Sequence, residues 1–369
     1  MFVPDYEKTQ KLVEIADKST KRDIIEAINC QKFGIKEFAV SLSPLIDNEI
    51  LRMVAGRSTL LTRKRFGRAV SLYIPLYFDN RCTNSCVYCG FNCRNDVERT
   101  VLSYDEIIKE AEIIRHHNFK NILLVAGEHP ESSDIDFLVP VIRKLHELDF
   151  TCVSIEIAPL EEEQYRTLVK DAHLDGLYVY QETYNREIYA AVHPAGKKNN
   201  YNWRLATAER AAKAGIPKIG IGFLLGLGDF REEAVNLAQH LSYLQKHHWQ
   251  SEFSISFPRI RNASGINNSF TTVKDRDFVN LVSALRLLFP EVGMSLSTRE
   301  NPDFRDAVIP IGFTNLSAGS STTPGGYSKN GQAEKCHLEQ FDVEDSRTPQ
   351  EIAETLNSKG FDPVWKDWE

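Results

Sequence analysis

From residue 70 onward, short runs rich in β-branched and aromatic residues alternate with longer stretches of helical periodicity. Strands separated by helices must run parallel, so this alternation narrows the fold more than any other feature of the chain. The strand runs fall at 70–77, 121–126, 151–157, 176–180, 219–225, 252–257 and 293–297, with a weaker eighth at 309–316. Helical patterns lie between them at 134–148, 161–169, 207–214, 231–246 and 274–288, and a last one at 349–358 is closed by Gly360. Ser103 and Glu106 form a capping box ahead of an apolar face of Ile107, Ala111 and Ile114. Eight strand–helix units are the count of a closed α/β barrel of the (β/α)8 TIM type. A doubly wound open sheet is the rival, because the eighth strand is poorly marked. In both, chemistry belongs at the carboxyl ends of the strands.

Residues 1–65 read as preceding helices, clearest over 21–33, covering the bottom or flank of a barrel that spans 66–320. Residues 321–369 then form a C-terminal loop and helix packed on that barrel. The Ser/Thr/Gly-rich stretch 317–331 is the longest loop-like region, fit for a linker or a substrate-covering loop. With 369 residues, 42% hydrophobic and 26% charged, the chain has the composition of an ordinary soluble globular protein, which excludes collagen-like, mucin-like and mainly disordered classes. A net charge of −7 disfavours a nucleic-acid surface while leaving room for a local basic pocket. No apolar run approaches the roughly 18 residues of a membrane span. The first residues lack the charged and apolar regions of a signal peptide, so a cytoplasmic location is expected.

Seven cysteines, an odd number without a leader, argue for reduced thiols rather than a disulfide framework. Cys30, Cys152 and Cys336 are scattered and read as small core or surface residues. Cys82, Cys86, Cys89 and Cys93 fall together just past the first strand. Spacings of three and then two residues let a compact loop aim three thiolates at one face of a cubane cluster and leave its fourth iron open. Three alternatives stand beside that reading. Cys93 could close the cluster as a fourth ligand, the group could hold structural zinc, or two of the thiols could form a Cys-x-x-Cys redox pair. Zinc sites draw on two separated ligand pairs, and a redox pair would leave Cys82 without a role.

This Cys82-x3-Cys86-x2-Cys89 spacing, with the aromatic Tyr88 before the last cysteine, resembles the signature of the radical S-adenosylmethionine enzymes. The resemblance implies a 4Fe-4S cluster with three cysteine ligands. S-adenosylmethionine would chelate the open iron through its amine and carboxylate, and its reductive cleavage would yield a 5′-deoxyadenosyl radical. Tyr88 would pack on the adenine. Gly127-Glu128, ending the second strand, matches the family's motif for the methionyl ammonium; outside that context it is a loop glycine and a solvated glutamate. Glu156 is an acid inside the apolar run Val-Ser-Ile-Glu-Ile, costly unless paired with a ribose hydroxyl, a cation or a core partner. Arg204, by resemblance to the biotin-synthase-like branch, would bind the carboxylate of S-adenosylmethionine, for which a planar guanidinium fork is suited. A surface arginine is its plainer reading. The glycine-rich end of the fifth strand, Gly222 to Gly228, resembles the family's adenine-approach segment.

Within the family, seven stretches are similar to the tyrosine lyases of thiamine biosynthesis, the 2-iminoacetate synthases. They lie at 77–91, 179–184, 249–251, 257–259, 296–300, 323–327 and 363–368. The implied reaction cleaves L-tyrosine between Cα and Cβ into 2-iminoacetate (dehydroglycine) and p-cresol. The implied partners are thiazole synthase and an electron donor such as flavodoxin or ferredoxin. Arg299 is expected to bind the substrate carboxylate, Tyr77 to lie beside its amine, and Ser317 to add a hydrogen bond to the carboxylate. Their plainer roles are a salt bridge to Glu300, Asp303 or Asp306, core packing, and loop capping. The amine must be uncharged when it reacts, and Glu182, His129 and Glu300 are the candidate bases. The hydrogenase-maturation tyrosine lyase carries a second cysteine-ligated cluster, for which the one cysteine after Cys152 is too few. A tryptophan lyase of the same fold, or a non-catalytic iron–sulfur protein closed by Cys93, are the remaining alternatives.

Overall fold

The computed structural model describes residues 1–261, 263, 270–328 and 339–366. Its strands, in chain order, are β1 (Ala69–Asp79), β2 (Asn121–Ala126), β3 (Cys152–Glu156), β4 (Gly176–Glu182), β5 (Lys218–Phe223), β6 (Glu252–Ser256), β7 (Gly293–Leu296) and β8 (Asn315–Ser317). Each pairs in parallel with its successor, and β8 pairs with β1 through Leu72 opposite Leu316, so the sheet closes on itself. The closed barrel, not the open sheet, is what forms. A short β9 (Asp362–Val364) adds in parallel to the start of β1.

The strands are buried from both sides, by the barrel interior and by the ring of helices, and so read as continuous apolar runs rather than alternating ones. All six residues of β2 are buried. Fully buried side chains such as Leu124, Ile155 and Leu316 each contribute about 1.5–3 kcal/mol by leaving water. Between β1 and β2 the capping box at Ser103 and Glu106 forms as expected and starts helix Tyr104–His116. The N-terminal helices lie on the flank. Asn48–Phe66 packs on Asp275–Leu288 and Pro302–Gly312, and Tyr6–Lys18 packs on Phe230–His247. The helix expected over 21–33 spans Lys21–Asn29.

The eighth strand departs from expectation. The first half of 309–316 belongs to helix Pro302–Gly312, and only Asn315–Ser317 pairs in the barrel. The apolar run Val308 to Ile311 has the composition of a strand, but Asn301 caps Phe304 N and Pro302 opens the first turn. Those two upstream residues set helical phase, which the run then continues. Cys336 and part of 317–331 lie outside the described residues, as does the end of 363–368. Within the described part, Tyr327 donates its hydroxyl to Pro75 O (2.6 Å), and Glu110 accepts from the N–H groups of Tyr327 and Ser328, pinning this loop to the barrel.

Candidate active site

A cavity opens at the carboxyl ends of the barrel strands, lined by residues at or just past the ends of β2 to β7 together with the loop after β1, where the barrel argument places chemistry. Cys82, Cys86 and Cys89 line it together, whereas Cys93 is exposed and does not. The cysteine loop is fixed from two sides. Thr83 N donates to Glu128 O (3.1 Å), Val87 N to Val192 O (3.1 Å) and Ser85 N to Ala195 O (3.2 Å). Gly127 permits the close approach, since a Cβ there would stand 2.2 Å from Arg81 O and 3.2 Å from Cys82 Cβ. Burial pushes the Cys82 and Cys86 thiols up and Cys89 to about 11, so ionised sulfur here calls for a cationic partner. Among the described residues no three His, Cys, Asp or Glu side chains gather closely enough for a single metal ion. Three thiols facing one sizeable cavity match the donor set of a polynuclear cluster.

Glu128 and Arg204 meet across the cavity, 76 positions apart, with Arg204 Nη1 donating to Glu128 Oε1 at 2.7 Å. Arg204 Nε also donates to Tyr180 O (2.6 Å), and Asn84 Nδ2 donates to the other Glu128 oxygen (2.9 Å). Glu182, at the bulged end of β4, adopts φ +69, a conformation that costs a non-glycine residue about 1–3 kcal/mol. Its carboxylate receives Lys198 Nζ at 2.8 Å, and Arg204 Nη2 lies 3.8 Å away. Burial acts to raise the Glu182 pKa, but Lys198 and Arg204 outweigh it and hold the group ionised. A carboxylate and a guanidinium presented side by side complement the zwitterionic end of an α-amino acid.

Glu156 ends β3 on the same wall, and among the described residues its carboxylate has no hydrogen-bond partner. Burial pushes it up to about 7, with Arg299 acting against the shift and Glu182 adding to it. Tyr88 is held by His193, whose Nε2 lies 2.7 Å from the Tyr88 hydroxyl. Arg299 also lines the cavity. It makes no ion pair among the described residues; its guanidinium lies 3.4 Å over the Phe341 ring. Glu300 is taken by Arg259 and Arg261, and Asp306 by Arg347.

Tyr77 and Ser317 are placed differently. Both are buried, and neither lines the cavity. The Tyr77 hydroxyl donates to Gln340 Oε1 (2.8 Å), and Ser317 Oγ accepts from Thr298 N (3.1 Å). Of the three candidate bases, Glu182 is locked to Lys198, Glu300 to its two arginines, and His129 lines a different hollow, beside Trp203. Lys198, Asn84, Gln340 and Phe341 are lining residues that the sequence reading missed. Lys198 sits in the single 3-10 turn Lys197–Asn199, too short for a period to register, and Gln340 lies 263 positions from Tyr77, so neither carried a local signal.

The Radical SAM superfamily model matches residues 76–241, and the Biotin and Thiamin Synthesis associated domain matches 256–362. The 2-iminoacetate synthase of Escherichia coli (strain K12) is 43% identical over 351 residues, 95% of this chain and 91% of that one. The protein of the same name from Salmonella typhimurium (strain LT2) is 42% identical, with the same shares covered. Among solved structures, the [FeFe]-hydrogenase maturase HydG superposes with a TM-score of 0.91 at 35% identity, covering 98% of this chain and 80% of that one. The chain belongs to the 2-iminoacetate synthase family of radical SAM enzymes, and with that family come a 4Fe-4S cluster and S-adenosylmethionine as cofactors.

Proposed function

We propose that the enzyme cleaves L-tyrosine between Cα and Cβ into 2-iminoacetate and p-cresol, supplying the former to thiazole formation in thiamine biosynthesis. The observation that carries this reading is one cavity that joins the three-thiol loop to the Glu128–Arg204 pair and to Arg299, which makes no ion pair among the described residues. It stands with the full-length similarity to 2-iminoacetate synthases. When bound, the cluster and S-adenosylmethionine supply a reactive carbon radical by reductive cleavage of the sulfonium.

The chain's residues bind, orient and shield. Cys82, Cys86 and Cys89 would hold three irons. Glu128 would take the methionyl ammonium and Arg204 the methionyl carboxylate, with Tyr88 against the adenine and Glu156 on the ribose hydroxyls. Arg299 would bind the carboxylate of tyrosine, and its stacking on Phe341 keeps the guanidinium aimed into the cavity. Tyr77 would contact the substrate amine and Ser317 its carboxylate, although neither lines the cavity in this structure. Glu156 is the wall carboxyl whose pKa of about 7 suits proton exchange near neutrality. Residues 66–320 would form the catalytic barrel, with 1–65 and 321–369 packed around it. A flavodoxin or ferredoxin would donate electrons, and thiazole synthase would take the product. No helix among the described residues is long and apolar enough to cross a membrane.

Anaerobic reconstitution followed by incubation with S-adenosylmethionine, reductant and L-tyrosine, read by mass spectrometry, tests the assignment. p-Cresol and 5′-deoxyadenosine are expected together, and Cys86→Ala abolishes both. Deoxyadenosine formed only with L-tryptophan would keep the radical chemistry and overturn the substrate.

A further inference from the structure

The chain after residue 338 closes one side of the cavity and is seated on the cysteine loop itself. Gly90, the residue after Cys89, donates its N–H to Gln340 O at 3.0 Å. A Cβ at Gly90 would come within 2.4 Å of the Glu339 carbonyl oxygen, so the two segments meet backbone to backbone. Farther on, Asp345 is buried between Arg305 and Arg347, which anchors the segment to helix Pro302–Gly312. Gln340 is thus held in place from both sides.

Its amide makes two contacts. Oε1 accepts the Tyr77 hydroxyl proton at 2.8 Å, and Nε2 lies 3.8 Å from Cys89 Sγ, within donor range of sulfur. The opposite amide orientation would set Oε1 against a sulfur that ligates as a thiolate, so the contacts themselves fix the assignment. Since the single Tyr77 proton is committed to Gln340, the phenolic oxygen has only lone pairs left to offer.

We propose that Gln340 is a positioning residue that couples occupancy of the substrate-amine subsite to the electronics of the cluster through Tyr77 and Cys89. The proposal rests on the reading of Cys89 as a ligand and of Tyr77 as the contact to the substrate amine. An N–H···S bond stabilises charge on the ligating sulfur and so favours the reduced, more negative cluster. An amine N–H arriving at the Tyr77 oxygen makes its O–H a stronger donor, which polarises the amide and strengthens its N–H toward sulfur. Substrate arrival therefore eases reduction of the cluster.

The test measures the cluster midpoint potential, with and without L-tyrosine, in anaerobically loaded wild type, Gln340→Leu and Gln340→Glu. Wild type is expected to shift upward when tyrosine is added. Gln340→Leu lowers the reduction equilibrium constant by about tenfold, a fall of roughly 59 mV for one electron, and loses the tyrosine response. Gln340→Glu keeps an acceptor for Tyr77 without the amide donor. It should show the lower potential with a tyrosine KM nearer wild type than that of Gln340→Leu. Iron content and Tm, recorded for each variant, separate this effect from failure to load or fold. An unchanged potential in fully loaded Gln340→Leu, or a surviving tyrosine shift, overturns the coupling. Cys89→Ala, run alongside, tests the underlying reading: a full cluster there would overturn the ligand assignment and the proposal together.

Discussion

The Nδ1 atom of His193 lies 2.9 Å from the Tyr189 carbonyl, which can only accept, so that nitrogen carries the ring proton. Nε2 is left as an acceptor for the Tyr88 hydroxyl, and burial pushes the His193 pKa down to about 3, which keeps the ring neutral. His193→Leu strands a buried hydroxyl and should cost about 1–3 kcal/mol of unfolding free energy. Tyr88→Phe introduced beside it should recover part of that loss, and additive losses in a denaturant double-mutant cycle would refute the pairing. Arg204 has a sharper requirement. Its Nε and Nη1 engage Tyr180 O and Glu128 at once, a fork that an ammonium cannot reproduce. Arg204→Lys is expected to weaken S-adenosylmethionine binding by at least about tenfold, measured by anaerobic calorimetry, given that a charge-assisted hydrogen bond contributes roughly 1.5–3 kcal/mol. Neither partner set was visible from residue type alone. His193 drew no notice in the sequence because its acceptor role depends on a tyrosine 105 positions away.

Among the elements, helix Phe230–His247 shows how packing rewrites an ordinary amphipathic segment. Its first turn buries Glu233, which accepts from the Thr183 hydroxyl and from Tyr184 N–H (2.7 Å) just past β4. Burial lifts this carboxyl to about 7 despite those bonds. A raised folded-state pKa means the native state holds a proton that the unfolded chain releases near pH 4.5. The associated stability is complete below that pH and is lost as pH rises through about 7. Over that window wild type should lose up to roughly 3 kcal/mol relative to Glu233→Gln, at about 1.4 kcal/mol per pKa unit. Urea unfolding of both proteins at pH 4.5, 6 and 8 checks it, and parallel pH profiles would disprove it. The sequence placed this helix within two residues, because the 3.6-residue period survives in any context. It placed β8 poorly, since three paired residues are too few for a period to register.

At the scale of the whole molecule, the C-terminal segment completes the cavity and is tied down just beyond it, where Asp345 N donates to Thr298 O (3.1 Å). Asp345, fully buried, pairs with Arg305 and Arg347, and Arg347 reaches on to Asp306 (3.0 Å). Removing the shared anion leaves a buried guanidinium uncompensated. Asp345→Asn should therefore cost about 3–5 kcal/mol, read as a fall in Tm of the loaded enzyme, and a loss below about 1 kcal/mol would show the network to be dispensable. What the sequence by itself determined about this protein is whatever depends on neighbours along the chain. The alternation of periods dictates parallel strands, and spacings of three and two place Cys82, Cys86 and Cys89 on one short loop because the backbone joining them is short. Only the tertiary structure decided which charges meet. Lys198 rather than Arg204 became the nearer partner of Glu182, Glu128 found Arg204, Glu156 was buried with its pKa lifted and no hydrogen-bond partner among the described residues, and Gln340 came between Tyr77 and Cys89. Coulomb energy and desolvation depend on distance through space and on exclusion of water, and neither quantity exists until barrel closure brings remote positions together.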